Sequence, residues 1–385
     1  MILVYMKATN RCNVGCTHCY LPLEVRADKT RMTDEVLTAS AAFLSDMRNF
    51  GRHDGIQVLW HGGEPLVLSA DWYWKAGELL DRELPGHVES MQTSLIPLRP
   101  EHVPLMRERF GGLVGTSVDF SQRMIGGSVE AYHKLWQKKV DMARDGGIEI
   151  IPGIVPTTNE LGREEWIVDW MVERRFAAFN VDRYNAYGTS FPDRPTNLQH
   201  SYFLMGLFEA LMARMEKTGF APINGAIRAS ITGVLYGVGG DRWGGTCMND
   251  FVVVEPDGSL NNCPDKSSFE ESYGNVRDGY KAFAGNKFRR KWVRHQGLTH
   301  KESHCFTCEN QHFCGSGCPI TPNGAAHGED ECSGYRTYLS AVRRFSERPG
   351  GRETMIAYLD QMKKDSTLDR ATRYGGGDNQ GACAA

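Results

Sequence analysis

Eleven cysteines fall mostly into two dense groups, and thiolates so spaced are the residues of this chain with most chemistry to offer. Three lie close together as Cys12-x3-Cys16-x2-Cys19, seven lie between Cys247 and Cys332, and Cys383 stands apart in the tail. The stretch between Cys19 and Cys247 has none. The opening Met-Ile-Leu-Val-Tyr-Met-Lys is too short an apolar run for a secretory signal and lacks a small-residue cleavage pattern. The expected location is therefore the cytoplasm, where structural disulfides are disfavoured and grouped cysteines point to metal. Three neighbouring thiolates can wrap one iron–sulfur cluster, and a four-iron cluster wants four ligands. One iron would then stay open to substrate, as catalytic metal sites require. Taken alone, the triplet suits zinc as well.

Downstream, Gln57-Val-Leu-Trp-His-Gly-Gly-Glu-Pro65 reads as a buried strand ending in a glycine-rich turn. Glycines let backbone approach a ligand closely, and a carboxylate can pair with an ammonium. CxxxCxxC after the first strand, followed one strand and one helix later by GGEP, resembles the radical S-adenosylmethionine superfamily. Tyr20 supplies the aromatic residue such enzymes place beside the third cysteine. The resemblance implies that Cys12, Cys16 and Cys19 hold the catalytic [4Fe-4S] cluster. It also implies that Gly62, Gly63, Glu64 and Pro65 receive the amino group of S-adenosylmethionine, on backbone carbonyls and on Glu64. Gln92-Thr93-Ser94 is similar to the family's QTN segment, with Ser94 in place of Asn. Ser117-Val118-Asp119 is similar to its S-x-D segment, with Phe120 where glycine is common. These positions would line the cofactor's ribose and carboxylate, or the substrate. Asn180, Asp182 and Arg183, ending the sixth strand, face the same mouth. The plainer role for each is a strand-end polar group satisfying loop backbone.

The second group, Cys247-x10-Gly258-x4-Cys263, Cys305-x2-Cys308-x5-Cys314-x3-Cys318 and Cys332, resembles the SPASM domain of radical enzymes that modify peptides and proteins. That resemblance implies two auxiliary [4Fe-4S] clusters. Cys305, Cys308, Cys314 and Cys332 would hold the outer one; Cys247, Cys263 and Cys318 would hold the inner one. Three clusters amount to about 12 irons. Fully ligated relatives carry one more cysteine shortly before the position of Cys247. Here residues 237–246 contain none, and Asp241 is their only carboxylate. The inner cluster's last ligand is then Asp241, a substrate group, or nothing. Zinc within residues 305–318 is the alternative for the short cysteine pairs.

By the same resemblance, an electron from the first cluster cleaves S-adenosylmethionine to methionine and a 5′-deoxyadenosyl radical, which takes hydrogen from an unactivated carbon. The protein's share is positioning and the exclusion of wrong reactions. A donor such as a flavodoxin or ferredoxin would supply the electron, and the auxiliary clusters would accept one from the substrate radical. Asp265, two residues after Cys263, is the candidate base, or else a turn residue following Pro264. His61 reads as packing. The leading expectation is an oxidative crosslink, thioether or C–C, on a ribosomally made precursor peptide. Many such enzymes carry an N-terminal leader-binding domain; here the barrel begins at residue 1, so a separate leader-binding protein, or the barrel itself, would take that role. The alternatives are dehydrogenation of Ser or Cys on a protein, as in sulfatase maturation, and oxidation or epimerisation of a small molecule such as an aminoglycoside.

The elements that must position these residues are legible in the periodicity. Strand-like runs at residues 3–7, 56–60, 89–93, 113–118, 149–154 and 179–183 alternate with amphipathic stretches at 33–50, 72–83, 101–109, 129–144 and 163–174. A repeated β-then-α order predicts an α/β fold with a parallel sheet. Six units predict a partial (β/α)6 TIM-like barrel over residues 1–185, with catalytic loops after the strands. A helical bridging region follows at 186–245, with helices near 200–217 and 226–236. The small cysteine-rich SPASM domain, expected to need metal to fold, occupies 246–340, and Glu255-Pro-Asp-Gly258 predicts a hairpin there. Two C-terminal helices lie within 341–373, and 374–385 reads as a disordered tail. The formal charge, 44 − 47 = −3, gives no pull toward nucleic acid or membrane. No run of about 18 apolar residues predicts a membrane span.

Overall fold

The structure, a computed structural model, describes residues 1–183, 191–248, 250–263, 271–295, 297, 303–321 and 331–364. Asp265, one expected base, and the tail read as disordered lie outside the described residues. The chain divides into two compact units. The first comprises Met1–Ile150 with Cys247–Arg294, and the second begins with Ile151–Thr246 and continues from His295.

In the first unit, β1 (Ile2–Thr9), β2 (Ile56–Gly62), β3 (Val88–Thr93) and β4 (Leu113–Ser117) pair in parallel in that order. Helices fill the crossovers, and three of them start at a side-chain cap. Thr33, Ser69 and Ser128 cap Asp34–Gly51, Ala70–Glu83 and Val129–Asp145 by accepting from Val36, Trp72 and Ala131 backbone N–H groups. The predicted hairpin is present, as Phe251–Val254 antiparallel to Leu260–Asn261. Its first strand also pairs in parallel with β1, Leu3 opposite Phe251, which no local pattern announced. Helices Gly279–Gly285 and Lys287–Arg294 follow, and Phe283 meets Phe43 edge to face at 5.2 Å.

The second unit takes up β5 (Glu149–Ile154), which the division crosses after Ile150, and pairs it in parallel with β6 (Ala178–Val181) and then Ile223–Asn224. Helices Asn197–Thr218 and Gly225–Tyr236 match the expected bridging helices, and Arg336–Glu347 and Gly351–Lys364 match the C-terminal pair. A capping box at Thr196 and Gln199 fixes the start of the long helix. This is the parallel α/β arrangement that the sequence predicts. Among the described residues no helix is long and apolar enough to cross a membrane.

One feature of the first unit runs against the apolar pattern. Lys7, fully buried in β1, donates to Glu255 at 2.8 Å, and Asn10 donates to the other Glu255 oxygen at 3.1 Å. A buried pair is costly to break because the survivor keeps an uncompensated charge. Lys7→Met is therefore expected to lower stability by about 3–5 kcal/mol, read from the urea midpoint, while Lys7→Met with Glu255→Leu recovers most of the loss.

Candidate active site

The cysteine triplet follows β1 directly, in a loop tied down by backbone. Cys12 N donates to Arg26 O at 3.1 Å and Thr17 N to Gln122 O at 3.0 Å. Gly15–Cys16 forms a two-residue antiparallel ladder with Arg123–Met124. That ladder delivers Arg123, which reaches Cys16 Sγ at 3.4 Å and holds Asp119 at 2.5 Å. Burial, with smaller contributions from the charges of Glu64, Cys16 and Cys19, pushes the Cys12 thiol up to about 12. Burial also raises Cys16, opposed mainly by Arg123. Thiols held this far up stay protonated at neutral pH, so metal loading must displace protons.

The GGEP turn is built against this loop. Gly62 has φ +130°, in the region that favours glycine, and a side chain there would overlap the Thr9 carbonyl. A side chain on Gly63 would overlap the carbonyls of Asn10 and Arg11. Close approach lets Gly63 N donate to Thr9 O at 3.1 Å and Glu64 N to Arg11 O at 2.9 Å. Both glycines are thus explained by backbone meeting backbone immediately before Cys12.

Glu64 is 1% exposed, and its carboxylate is fully engaged inside the protein. One oxygen accepts from Leu66 N at 2.9 Å and Thr93 Oγ1 at 2.5 Å; the other accepts from Ser94 N at 2.8 Å and from the Ser94 hydroxyl. Four donors occupy the roughly four lone-pair sites of a carboxylate. This side chain, expected from the sequence to pair with a ligand ammonium, ties the GGEP turn to the end of β3. The substitution of Ser94 for Asn keeps that tie, since a hydroxyl can still donate.

The remaining positions of the first unit form a linked row. Gln92 donates to Ser117 Oγ at 3.1 Å, and Tyr132 donates to Ser117 O at 2.7 Å. Asp119, 2% exposed with φ 22°, lies 3.4 Å from His18 Nε2 as well as against Arg123. Lys7 Nζ lies 5.5 Å from the Tyr20 ring centroid. Pro65 is buried, and its carbonyl accepts from Tyr73. Burial, with the charges of Lys7 and Arg123, pushes His61 down to about 3. The neutral ring stacks on Tyr5 at 4.9 Å and accepts from Gly62 N, a packing role. Arg123, Lys7, Asn10 and Glu255 escaped sequence reasoning. The one available signal was a lysine inside an apolar strand.

Cys247 and Cys263 flank the hairpin in this unit, and Asn262 Nδ2 donates to Cys247 O at 2.7 Å. In the second unit Cys305, Cys308, Cys314 and Cys332 line a single cavity, with His304, Ser316 and Gly334 among its other walls. Cys318 is not among them. This is the four-cysteine set expected to act together. Burial and the Cys332 charge push Cys314 up to about 12; burial and Glu331 push Cys332 up to about 11. Asp241, also in the second unit, spends its carboxylate on Arg242 Nε at 3.0 Å. A separate trio in the first unit, Asp81, His87 and Glu89, is occupied by Arg109, which pairs with both carboxylates.

No protein-family model matches the sequence. The serine-type anaerobic sulfatase-maturating enzyme of Klebsiella aerogenes is 22% identical over 350 residues, covering 86% of this chain and 82% of that protein. Its counterpart in Bacteroides thetaiotaomicron is 27% identical over 184 residues, 46% of this chain and 40% of that protein. The first of these relatives is similar to this chain along most of both sequences. Solved structures share the fold. Native anSMEcpe with bound AdoMet aligns with TM-score 0.72 at 18% identity, covering 93% of this chain and 99% of that one. Streptococcus suis SuiB bound to precursor peptide SuiA aligns with TM-score 0.59 at 14% identity, covering 85% and 73%.

Proposed function

We propose that this chain is a radical S-adenosylmethionine enzyme of the SPASM type that dehydrogenates a Ser or Cys side chain of a polypeptide, a reading supported by its relatives named serine-type anaerobic sulfatase-maturating enzymes. The observation that carries this reading is the likeness to the Klebsiella aerogenes enzyme along most of both chains. It favours protein side-chain oxidation over the peptide crosslink that the cysteine pattern alone put first. The crosslink remains the second reading, supported by the weaker structural likeness to SuiB, which was solved with its precursor peptide.

The donor sets fit the implied groups. Three buried or half-buried thiols gathered on one loop, and four around one cavity, suit soft metal centres of the iron–sulfur kind. In this proposal Cys12, Cys16 and Cys19 hold the catalytic cluster within a partial (β/α)6 barrel. Cys305, Cys308, Cys314 and Cys332 hold the outer auxiliary cluster, and Cys247, Cys263 and Cys318 ligate the inner one. S-adenosylmethionine and the cluster, when bound, supply a 5′-deoxyadenosyl radical that removes a hydrogen atom. The chain's own residues do the rest. Backbone carbonyls of the 62–65 turn receive the cofactor's ammonium, while Glu64 holds that turn to β3. Gln92, Ser94, Ser117 and Asp119 order the strand ends beside it, and Arg123 donates toward Cys16. Converting a serine carbinol to an aldehyde removes two hydrogens, one as an atom and one as a proton with an electron. Asp265 is the proposed base for that proton. A flavodoxin or ferredoxin is the proposed electron donor.

Anaerobic incubation with S-adenosylmethionine, a reductant and a sulfatase or short peptide encoded beside the gene tests the reading. The expected product has lost two hydrogens and reacts with a hydrazide probe. The same mass loss without hydrazide labelling, accompanied by a new bond between side chains, would replace this reading with the crosslink.

A further inference from the structure

In the second unit, just past the end of β6, a buried cation has no ion-pair partner among the described residues. Arg183 is 8% exposed. Its Nη2 donates to Asn197 Oδ1 at 2.5 Å and Pro195 O at 3.5 Å, both neutral acceptors. Nε and Nη1 are buried and make no hydrogen bond. Among the described residues no carboxylate forms an ion pair with it, and residues 184–190, Tyr-Asn-Ala-Tyr-Gly-Thr-Ser, carry no acid.

Tyr335 lies beside it, 1% exposed, with its ring centroid 5.6 Å from the Arg183 guanidinium. The Tyr335 hydroxyl is buried and also lacks a partner. Arg242 approaches the same ring at 5.8 Å, but its arms are spent: Nε on Asp241, Nη1 on His200 Nε2 at 3.2 Å, Nη2 on Val181 O at 2.9 Å. A guanidinium can only donate, so His200 Nε2 accepts and its proton rests on Nδ1. The His200 ring is 5.2 Å from that of Tyr335. Burial, with the charges of Arg183, Arg242 and Arg194, holds His200 well below its ordinary value, so it adds no charge.

Leaving a guanidinium desolvated with only neutral acceptors is expensive, and each buried donor left unmade adds to the cost. One compact anion would offset both. We propose that Arg183 and Tyr335 form a receptor for a carboxylate carried by a ligand of this enzyme. Arg183 gives the charge and the Nε–H and Nη1–H donors, and Tyr335 gives the hydroxyl. Arg242 is neutralised by Asp241 and holds the aromatic wall. The carboxylate belongs to the polypeptide substrate. The inference does not depend on which bond the enzyme makes.

Acetate is the probe, titrated into the reconstituted full chain by calorimetry at fixed ionic strength against chloride. Saturable acetate binding is expected in the wild type, absent in Arg183→Gln and about tenfold weaker in Tyr335→Phe, the cost of one hydrogen bond to a charged group. Equal acetate affinity in wild type and Arg183→Gln, or no saturable binding in the wild type, overturns the proposal. Should Arg183→Gln not fold, Tyr335→Phe decides alone, and unchanged affinity there overturns it.

Discussion

Changing Cys12, Cys16 and Cys19 together to alanine is expected to abolish 5′-deoxyadenosine formation from S-adenosylmethionine while leaving the protein folded. The fold should survive because the loop is held by backbone: the Cys12 and Thr17 N–H groups and the ladder to Arg123–Met124 remain. Activity should not survive, since nothing else on the loop is a soft ligand. Iron should fall from about 12 to about 8 per chain, because the second cysteine group is untouched. Persisting cofactor cleavage would refute the site. About four irons with zinc in the unaltered protein would instead remove the auxiliary clusters from the proposal.

Much of this site was legible because its signals are local. A CxxxCxxC spacing is contained in one loop, and GGEP in one turn. Helix starts at Thr33, Ser69 and Ser128 follow from side chains within three residues of the groups they cap. What escaped depends on partners far apart in sequence. Lys7 and Glu255 are separated by 248 positions, and neither carries a local sign that the other lies beside it. Arg123 matters because the Gly15–Cys16 ladder brings it to a thiol 107 positions away. The parallel pairing of Phe251–Val254 with β1 escaped for the same reason: an apolar run states that it will be buried, not against which neighbour.

Glu64 shows a subtler limit. Its motif correctly marked a residue of the site, and charge complementarity suggested a ligand ammonium as its partner. Internal donors claim the carboxylate first. Leu66, Thr93 and Ser94 lie on the turn and the next strand end, and a buried carboxylate so surrounded gains more from four fixed hydrogen bonds than from one mobile cation. Residue type alone therefore does not reveal how far a group's own fold already satisfies it.

Gly63→Ala follows from the same reasoning and should be nearly as damaging as losing the thiols. The added carbon has no flexible neighbour to push aside: it meets the Asn10 and Arg11 carbonyl oxygens, both backbone, the latter at 2.5 Å. Relief requires moving the GGEP turn away from residues 9–11. That would break Gly63 N to Thr9 O and Glu64 N to Arg11 O, the bonds seating the loop just ahead of Cys12. Two lost hydrogen bonds cost about 1–3 kcal/mol, and the overlap adds to it. The geometric consequence is larger, because displacements near 1 Å at a reacting centre cost about a hundredfold in rate. Reconstituted Gly63→Ala should therefore cleave S-adenosylmethionine at least about a hundredfold more slowly, while iron bound by the second cysteine group is unchanged. Gly86→Ala, at a left-handed glycine (φ +80°) with open space around it, is the control that adds backbone strain without overlap. If Gly63→Ala cleaves the cofactor as fast as the Gly86 variant, the close seat of GGEP against the cysteine loop does not govern the chemistry.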